Sequence, residues 1–235
     1  MVKPTQEKFK TYGDVFDQKT LDCLHRLYSK GTIVELISPI SVGKESNVFS
    51  AANSKKKKVV AKIYRINTCD FNQMYKYINA DPRFLGLRKQ KRKVIAEWAK
   101  REYSNLTIAR KASISVPEPI TFIENILVME FIGNKEPAKL VKNDPPKNPK
   151  EFAKLLIKEI KKLYKAGLVH GDLSEFNILN YKEKPVIIDI SHGMKLNYPN
   201  VDEYLERDII NTCKFFNKLG LNLDTKKILM EIKNG

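Results

Sequence analysis

The chain has 235 residues, 42% hydrophobic and 30% charged, enough apolar content for a real core in one large domain or two small lobes. Lys and Arg outnumber Asp and Glu 43 to 27, a net charge of +16. That excess favours a polyanionic partner, because basic side chains that neutralise phosphates release counterions; a thermophile's lysine-rich surface would balance Lys with Glu instead. No apolar run approaches a membrane span, and the polar, charged N-terminus is not a signal peptide, so a cytoplasmic location is expected. Cys23, Cys69 and Cys213 lie far apart with no C-x-x-C, which argues against a zinc site or a disulfide framework and predicts reduced, buried thiols.

Residues 1–12 are polar and expected to fray. From Asp14 to Lys30, Phe16, Thr20, Leu24 and Leu27 recur at helical spacing, with Asp17 as N-cap and Gly31 as the stop. His25 in that helix has no accompanying ligand cluster and reads as a packing or surface residue. Residues 32–37 are β-rich, and residues 41–52 continue as turn and strand. The turn comprises Ser41, Val42, Gly43, Lys44, Glu45, Ser46, Asn47 and Val48. Ser41, Gly43 and Ser46 stand at the glycine places of a G-x-G-x-x-G-x-V phosphate-covering loop, so one glycine of that pattern remains. Alone, the turn fits a polar hairpin better. The lysines at 55–58 form the next hairpin tip, either solvated or touching a phosphate backbone. Residues 59–64 read as an apolar strand carrying Lys62, which is costly to bury without a partner.

Residues 65–90 are long for a connection and read as a mobile insertion. They include Asp81-Pro82-Arg83-Phe84 and the start of a basic run at 88–93, which reads either as a helix's solvated first turn or as an RNA or partner contact. Residues 91–112 predict a long amphipathic helix with Val94, Ile95, Trp98, Leu106 and Ala109 on its apolar stripe. Glu102 falls on that stripe and Glu97 on the charged face beside Arg101, so Glu102 is the expected partner of Lys62. A strand pair follows, from Val116 to Gly133, and residues 135–147 read as a connection. Asn148 and Pro149 open a helix whose buried face is Phe152, Leu155, Leu156, Ile160, Leu163 and Tyr164.

The stretch from Leu168 to Asp189 organises the rest. Asp172 is followed five residues later by Asn177, and Asp189 ends the next strand. This is the layout of a kinase catalytic loop and its metal-binding aspartate. One carboxylate, Asp172, would orient the attacking hydroxyl or water, while Asn177 and Asp189 would hold Mg²⁺ against nucleotide phosphates. The bland reading is a solvated loop carrying the same three residues. In the kinase layout the 41–48 turn covers the phosphates, Lys62 contacts them and Glu102 positions Lys62. Main-chain groups of Glu130 and Ile132 would bond adenine, with Met129 at the pocket's rear or simply filling core. After Asp189, Asn200 or Asp202 caps a helix with Leu205, Ile209, Cys213 and Phe216 inward, and Asp224 caps a last one.

The 41–48 turn, Ala61-Lys62, Trp98 to Glu102, Met129 to Phe131, His170 to Leu179 and Ile188 to Ser191 together resemble the RIO family of atypical serine/threonine kinases over nearly the whole chain. The short helical N-terminus and the motif at 81–84 look like its type-1 branch, since the residues before Gly43 leave no room for the winged-helix domain of type 2. The resemblance implies an α+β, two-lobed protein-kinase-like fold with a truncated, mainly helical C-terminal lobe. The expected division is a helical extension over 1–31, an N-lobe over 32–132 with its insertion at 65–90, and a C-lobe over 133–235. It further implies phosphoryl transfer from ATP with Mg²⁺, or Mn²⁺ in its place, and an ATPase cycle in which Asp189 accepts the phosphoryl group. The implied partner is the pre-small-subunit ribosomal particle and its rRNA late in maturation, with no membrane and a monomeric chain.

Several departures from ordinary protein kinases carry meaning. His-Gly-Asp replaces His-Arg-Asp, removing the arginine that reads a phosphorylated activation loop. Asp-Ile-Ser replaces Asp-Phe-Gly, and residues 190–235 contain no Ala-Pro-Glu. Switching by activation-loop phosphorylation is therefore not expected, and the usual peptide-substrate site is in question. Two other kinase classes share His-Gly-Asp-Leu. Small-molecule kinases of the aminoglycoside or choline type usually carry a larger, often acidic lower lobe. The small kinase of the tRNA-threonylcarbamoyl complex normally keeps Asp-Phe-Gly and lacks Gly-Lys-Glu-Ser. A non-catalytic RNA-binding scaffold would be expected to have lost some of Lys62, Glu102, Asp172, Asn177 and Asp189.

Overall fold

Asp17 caps the first helix, α1 (Gln18–Ser29), by accepting the Thr20 amide at 3.1 Å, in a computed structural model that describes residues 16–84 and 86–234. The stretch 1–12, expected to fray, lies outside the described residues. The chain divides into two compact units. The first runs to Ile78 and adds Gly86–Tyr103 and Pro119–Phe131; the second takes residues 79–85, 104–118 and 132–235.

The first unit is built on an antiparallel sheet of β1 (Glu35–Val42), β2 (Ser46–Ala52), β3 (Lys58–Tyr64), β4 (Pro119–Ile123) and β5 (Ile126–Glu130), in the order β1-β2-β3-β5-β4. Strand alternation sorts β3 into two faces. Val59, Ala61 and Ile63 join Phe49, Ala51, Ile126 and Val128 in a core closed by Leu24 and Leu27 of α1. Lys62 and Tyr64 point to the opposite face. Asn125, in the β4–β5 turn, ties α1 to the sheet by donating to Tyr64 O at 2.8 Å and Thr20 Oγ1 at 3.1 Å.

Part of the stretch 65–90, expected to be a mobile insertion, is helical. It folds into α2 (Phe71–Asn79), whose Met74 and Ile78 are buried, and a 3₁₀ turn over Pro82–Phe84. Asp70 opens α2 by accepting the Gln73 amide at 3.0 Å. One expectation is overturned in α3 (Lys91–Lys111). Arg101, placed by periodicity on the charged face, is fully buried. Trp98, three residues earlier on the same side, gives its guanidinium an aromatic surface at 5.3 Å, which offsets part of the desolvation.

In the second unit, Asn148 caps α4 (Pro149–Lys165) by accepting the Glu151 amide at 3.1 Å, and Phe152, Leu156, Ile160 and Leu163 form its buried stripe. Leu155 and Tyr164, expected inward, are only half-buried. Strands β6 (Lys139–Leu140), β8 (Ile178–Tyr181) and β9 (Lys184–Ile187) form a small sheet, so the segment read as a connection contributes a strand. β7 (Leu168–Val169) pairs with β10 (Met194–Lys195). Helix α5 (Val201–Lys218) begins after Asn200 in the left-handed region, with no side-chain cap bond, so the cap expected there is a backbone feature only. Asp224 starts α6 (Thr225–Asn234) by accepting the amides of Lys226 at 2.8 Å and Lys227 at 3.2 Å. All three cysteines are free and buried, and burial pushes their thiols up. No described helix is long and apolar enough to cross a membrane.

Candidate active site

In the first unit, the β1–β2 turn is closed by the Gly43 amide on Ser46 O at 3.0 Å. Residues just past β3 hold its carbonyls. Arg65 donates its amide to Glu45 O at 2.8 Å and its guanidinium to Gly43 O at 3.2 Å, and the Thr68 hydroxyl donates to Lys44 O at 2.7 Å. A trans peptide points its N–H opposite its C=O. The amides of Lys44, Glu45 and Ser46 are thus turned away from Arg65 and Thr68, as a phosphate-facing turn requires. Val48 is the cross-strand neighbour of Lys62 and pairs with Ser41. Val42 is exposed, and Asn47 pairs with Ile63, on the α1 side of the sheet. The Asn47 side chain is buried there, away from Lys62.

Lys62 is 4% exposed and donates to Glu102 Oε1 at 2.9 Å. The Tyr64 hydroxyl donates to Glu102 Oε2, so both carboxylate oxygens are bonded. Glu97 instead pairs with Lys100 at 3.0 Å. A buried ion pair of this kind adds little net stability but fixes the ammonium in one place. Tyr64 was not anticipated, though its position two residues after Lys62, on the same strand face, was a usable signal. Glu130 pairs through its main chain with Val59.

In the second unit, Asn177 Nδ2 donates to Asp172 O at 2.8 Å and to Asp172 Oδ2 at 3.3 Å. The bonds assign the amide nitrogen of Asn177 to Asp172 and leave its oxygen as the group a metal would use. Burial, and then the negative charge of Asp189, raise the Asp172 carboxyl above the ordinary value; Arg207 and the Asn177 bond pull the other way. His170 Nδ1 accepts the Asp172 amide at 3.3 Å, which places its proton on Nε2, facing Ile188 O at 3.0 Å. Asp189 sits in the left-handed region at φ 55°, ψ 55°, and Ser191 Oγ donates to its Oδ1 at 2.8 Å. Ile132, the other residue expected to meet adenine, accepts the Ala138 amide on its carbonyl at 2.9 Å.

The glycine of His-Gly-Asp has a local cause. Gly171 has φ +79°, and an added Cβ would come within 2.7 Å of Met194 Cε and 3.1 Å of His192 O. No arginine fits there.

The largest omission from the sequence reading is Asp208 on α5. Its side chain accepts the amides of Gly171 and Leu173, each at 2.8 Å, from a position 1% exposed. Burial raises its carboxyl to about 7, against the lowering effect of those two bonds and of Arg207. Arg207 donates to Gly171 O and Asn211 Nδ2 to Leu173 O at 3.2 Å, so one face of α5 grips the loop on both sides of Asp172. An aspartate between Leu205 and Ile209 on an inward face was the visible clue.

The donor chemistry suits Mg²⁺. Asn177 and Asp189 offer hard oxygen ligands, and no group of three or more His, Cys, Asp or Glu converges among the described residues. The two oxygen donors, Asn177 and Asp189, suit a cation whose shell substrate phosphates would complete.

A sheet unit with a buried Lys–Glu pair and a helical unit with an Asp–Asn–Asp set define a protein-kinase-like phosphotransferase fold. Comparison with known proteins narrows the class. The RIO domain model matches residues 47–228. The chain is 39% identical to the RIO-type serine/threonine-protein kinase Rio1 of Methanocaldococcus jannaschii, covering 94% of this chain and 77% of that protein. It is 37% identical to Rio1 of Haloferax volcanii, over 93% and 76%, and 34% identical to human serine/threonine-protein kinase RIO1, over 94% of this chain but 40% of the human protein. A solved complex of the Chaetomium thermophilum Rio2 kinase with ADP, Mg²⁺ and phosphoaspartate superposes with a TM-score of 0.69 at 25% identity, covering 88% of this chain and 64% of that one. The chain belongs to the RIO family of serine/threonine kinases, in its type-1 branch.

Proposed function

We propose that this chain is a Mg-ATP-dependent phosphotransferase and ATPase that works as a switch on small-ribosomal-subunit precursors in the cytoplasm. The observation that carries the reading is the Asp172 environment. Its carboxylate is held by Asn177 and raised by burial and by the nearby charge of Asp189, as a general base paired with a second, metal-binding carboxylate should be. Lys62, fixed by Glu102 and Tyr64, would contact nucleotide phosphates, the amides of the 44–46 turn would cover them, and Glu130 O and Ile132 N would meet adenine. Asn177 and Asp189 would hold Mg²⁺, which supplies charge neutralisation at the phosphates.

In the cycle, a carboxylate oxygen of Asp189 attacks the γ-phosphorus and the bond to the β-phosphate oxygen breaks, releasing ADP and leaving an acyl phosphate. Water then attacks that phosphorus while Asp172 takes its proton; the acyl oxygen leaves, restoring Asp189 and releasing phosphate. The phosphoaspartate in the Chaetomium Rio2 complex supports this order of events. The exposed lysines at 55–57 and the basic run at 88–93 would meet rRNA. In the second run, however, Lys89 lies over Phe71 and Tyr75, and Arg92 pairs with Asp17 at 2.6 Å, so part of it is structural.

The test is steady-state ATP turnover with Mg²⁺. Asp172→Ala is expected to abolish turnover and leave nucleotide affinity largely intact. Normal hydrolysis by that variant would overturn the role given to Asp172.

A further inference from the structure

The motif at 81–84 is built into the loop that follows Asp189. Asp81 is 1% exposed and meets Arg83 through both carboxylate oxygens, with Nη2 on Oδ2 at 2.6 Å and Nε on Oδ1 at 3.0 Å. Held in this way, Arg83 donates Nη1 to Asn105 Oδ1 at 2.8 Å. Asn105 is fully buried on α3 and spends its amide nitrogen on two carbonyls, Ile190 O at 2.9 Å and Gly193 O at 2.8 Å. Those carbonyls bracket the 3₁₀ turn Ile190–His192, whose preceding residue is Asp189 in its left-handed conformation.

Gly193 gives an independent reading of the same contact. Its φ is −54°, so left-handed backbone does not require a glycine. An added Cβ would lie 2.7 Å from Asn105 Nδ2 and 2.9 Å from Ile190 O. The position is kept bare because the Asn105 amide occupies the space. A non-glycine residue at positive φ is strained and persists only where its surroundings over-determine it. Asn105, bonded to the turn on one side and to Arg83 on the other, provides that constraint.

We propose that Asp81, Arg83 and Asn105 are positioning residues for Asp189. The buried Asp81–Arg83 fork fixes the Asn105 amide, and Asn105 fixes the turn that sets the direction of the Asp189 carboxylate. This rests on the metal and acceptor role proposed for Asp189. Partners one bond removed from a metal ligand typically govern about 10–100-fold in metal affinity or activity.

Asn105→Asp is the sharpest variant. It keeps the side chain's size and its contact with Arg83, but presents a carboxylate oxygen instead of an amide donor to the two carbonyls. The expected result is a fall in kcat of about ten-fold or more and a comparable rise in the Mg²⁺ concentration for half-maximal turnover. ATP affinity measured without Mg²⁺ should stay within about two-fold, since a change confined to the turn leaves uniform binding intact. Gly193→Ala should behave alike, and Arg83→Lys should fall between wild type and Asn105→Asp, because an ammonium can pair with Asp81 but cannot hold the fork. Wild-type kcat and Mg²⁺ requirement in Asn105→Asp and Gly193→Ala would overturn the proposal, as would a loss of metal-free ATP affinity equal to the loss in kcat. A wild-type chain with no Mg-ATP turnover would instead remove the underlying reading of Asp189.

Discussion

Lys62 shows what one residue can and cannot tell in advance. An ammonium in an apolar strand needs a carboxylate, and helical periodicity selected Glu102 over Glu97; the two meet at 2.9 Å. Strand alternation put Tyr64 on the face of Lys62, but its bond to the second carboxylate oxygen depends on how helix and strand cross. Nor could helical periodicity place Arg101, which is buried with its guanidinium over the Trp98 ring. The pair predicts a non-additive mutant cycle. Glu102→Leu alone leaves a buried ammonium and should cost about 3–5 kcal/mol in urea denaturation, whereas Lys62→Met with Glu102→Leu should recover most of that loss. ATP affinity should fall in both. Additive stabilities would mean that the pair is not buried as described.

Among the elements, those with strong local signals were legible: α1 and α4 with their caps, the β1–β3 hairpins, and the hairpin that ends at Asp189. Residues 65–90 were not. Met74 and Ile78 make too short a stripe to distinguish α2 from a polar loop, and the value of Arg83 lies in Asn105 and Gly193, 22 and 110 residues away. Helix α5 was found, but its apolar positions hid its chemistry. Asp208 belongs to the same face, and it holds the loop around Asp172 by two amides. Its carboxyl is raised in the folded chain from 3.8 to about 7, so between those values the native state keeps a proton that the unfolded chain has released. Stability from this group is therefore fully present below about pH 4 and lost as pH rises through about 7. Urea midpoints should fall from pH 5 to pH 8 in the wild type. Asp208→Asn, which turns an amide N–H toward a backbone N–H, should be less stable throughout, with that fall largely removed. The same fall in both proteins would assign it to another group.

For the molecule as a whole, the net charge of +16 makes a prediction that no single side chain makes. Affinity for small-subunit precursor rRNA should drop linearly with the logarithm of salt concentration, with a slope steeper than about −3, and replacing Lys55, Lys56 and Lys57 with Ala should flatten it. A salt-independent affinity would remove the electrostatic case for an rRNA partner. The charge would account for attraction to a polyanion; it would not account for the proposed cycle, which rests on the two aspartates. The most direct test of that cycle is to mix the chain with Mg²⁺ and ATP labelled at the γ-phosphate, quench in acid, and treat the denatured protein with hydroxylamine. The account predicts a hydroxylamine-labile label on the wild-type chain that is absent from Asp189→Asn. Turnover without such a label, or a label that persists in Asp189→Asn, would contradict it.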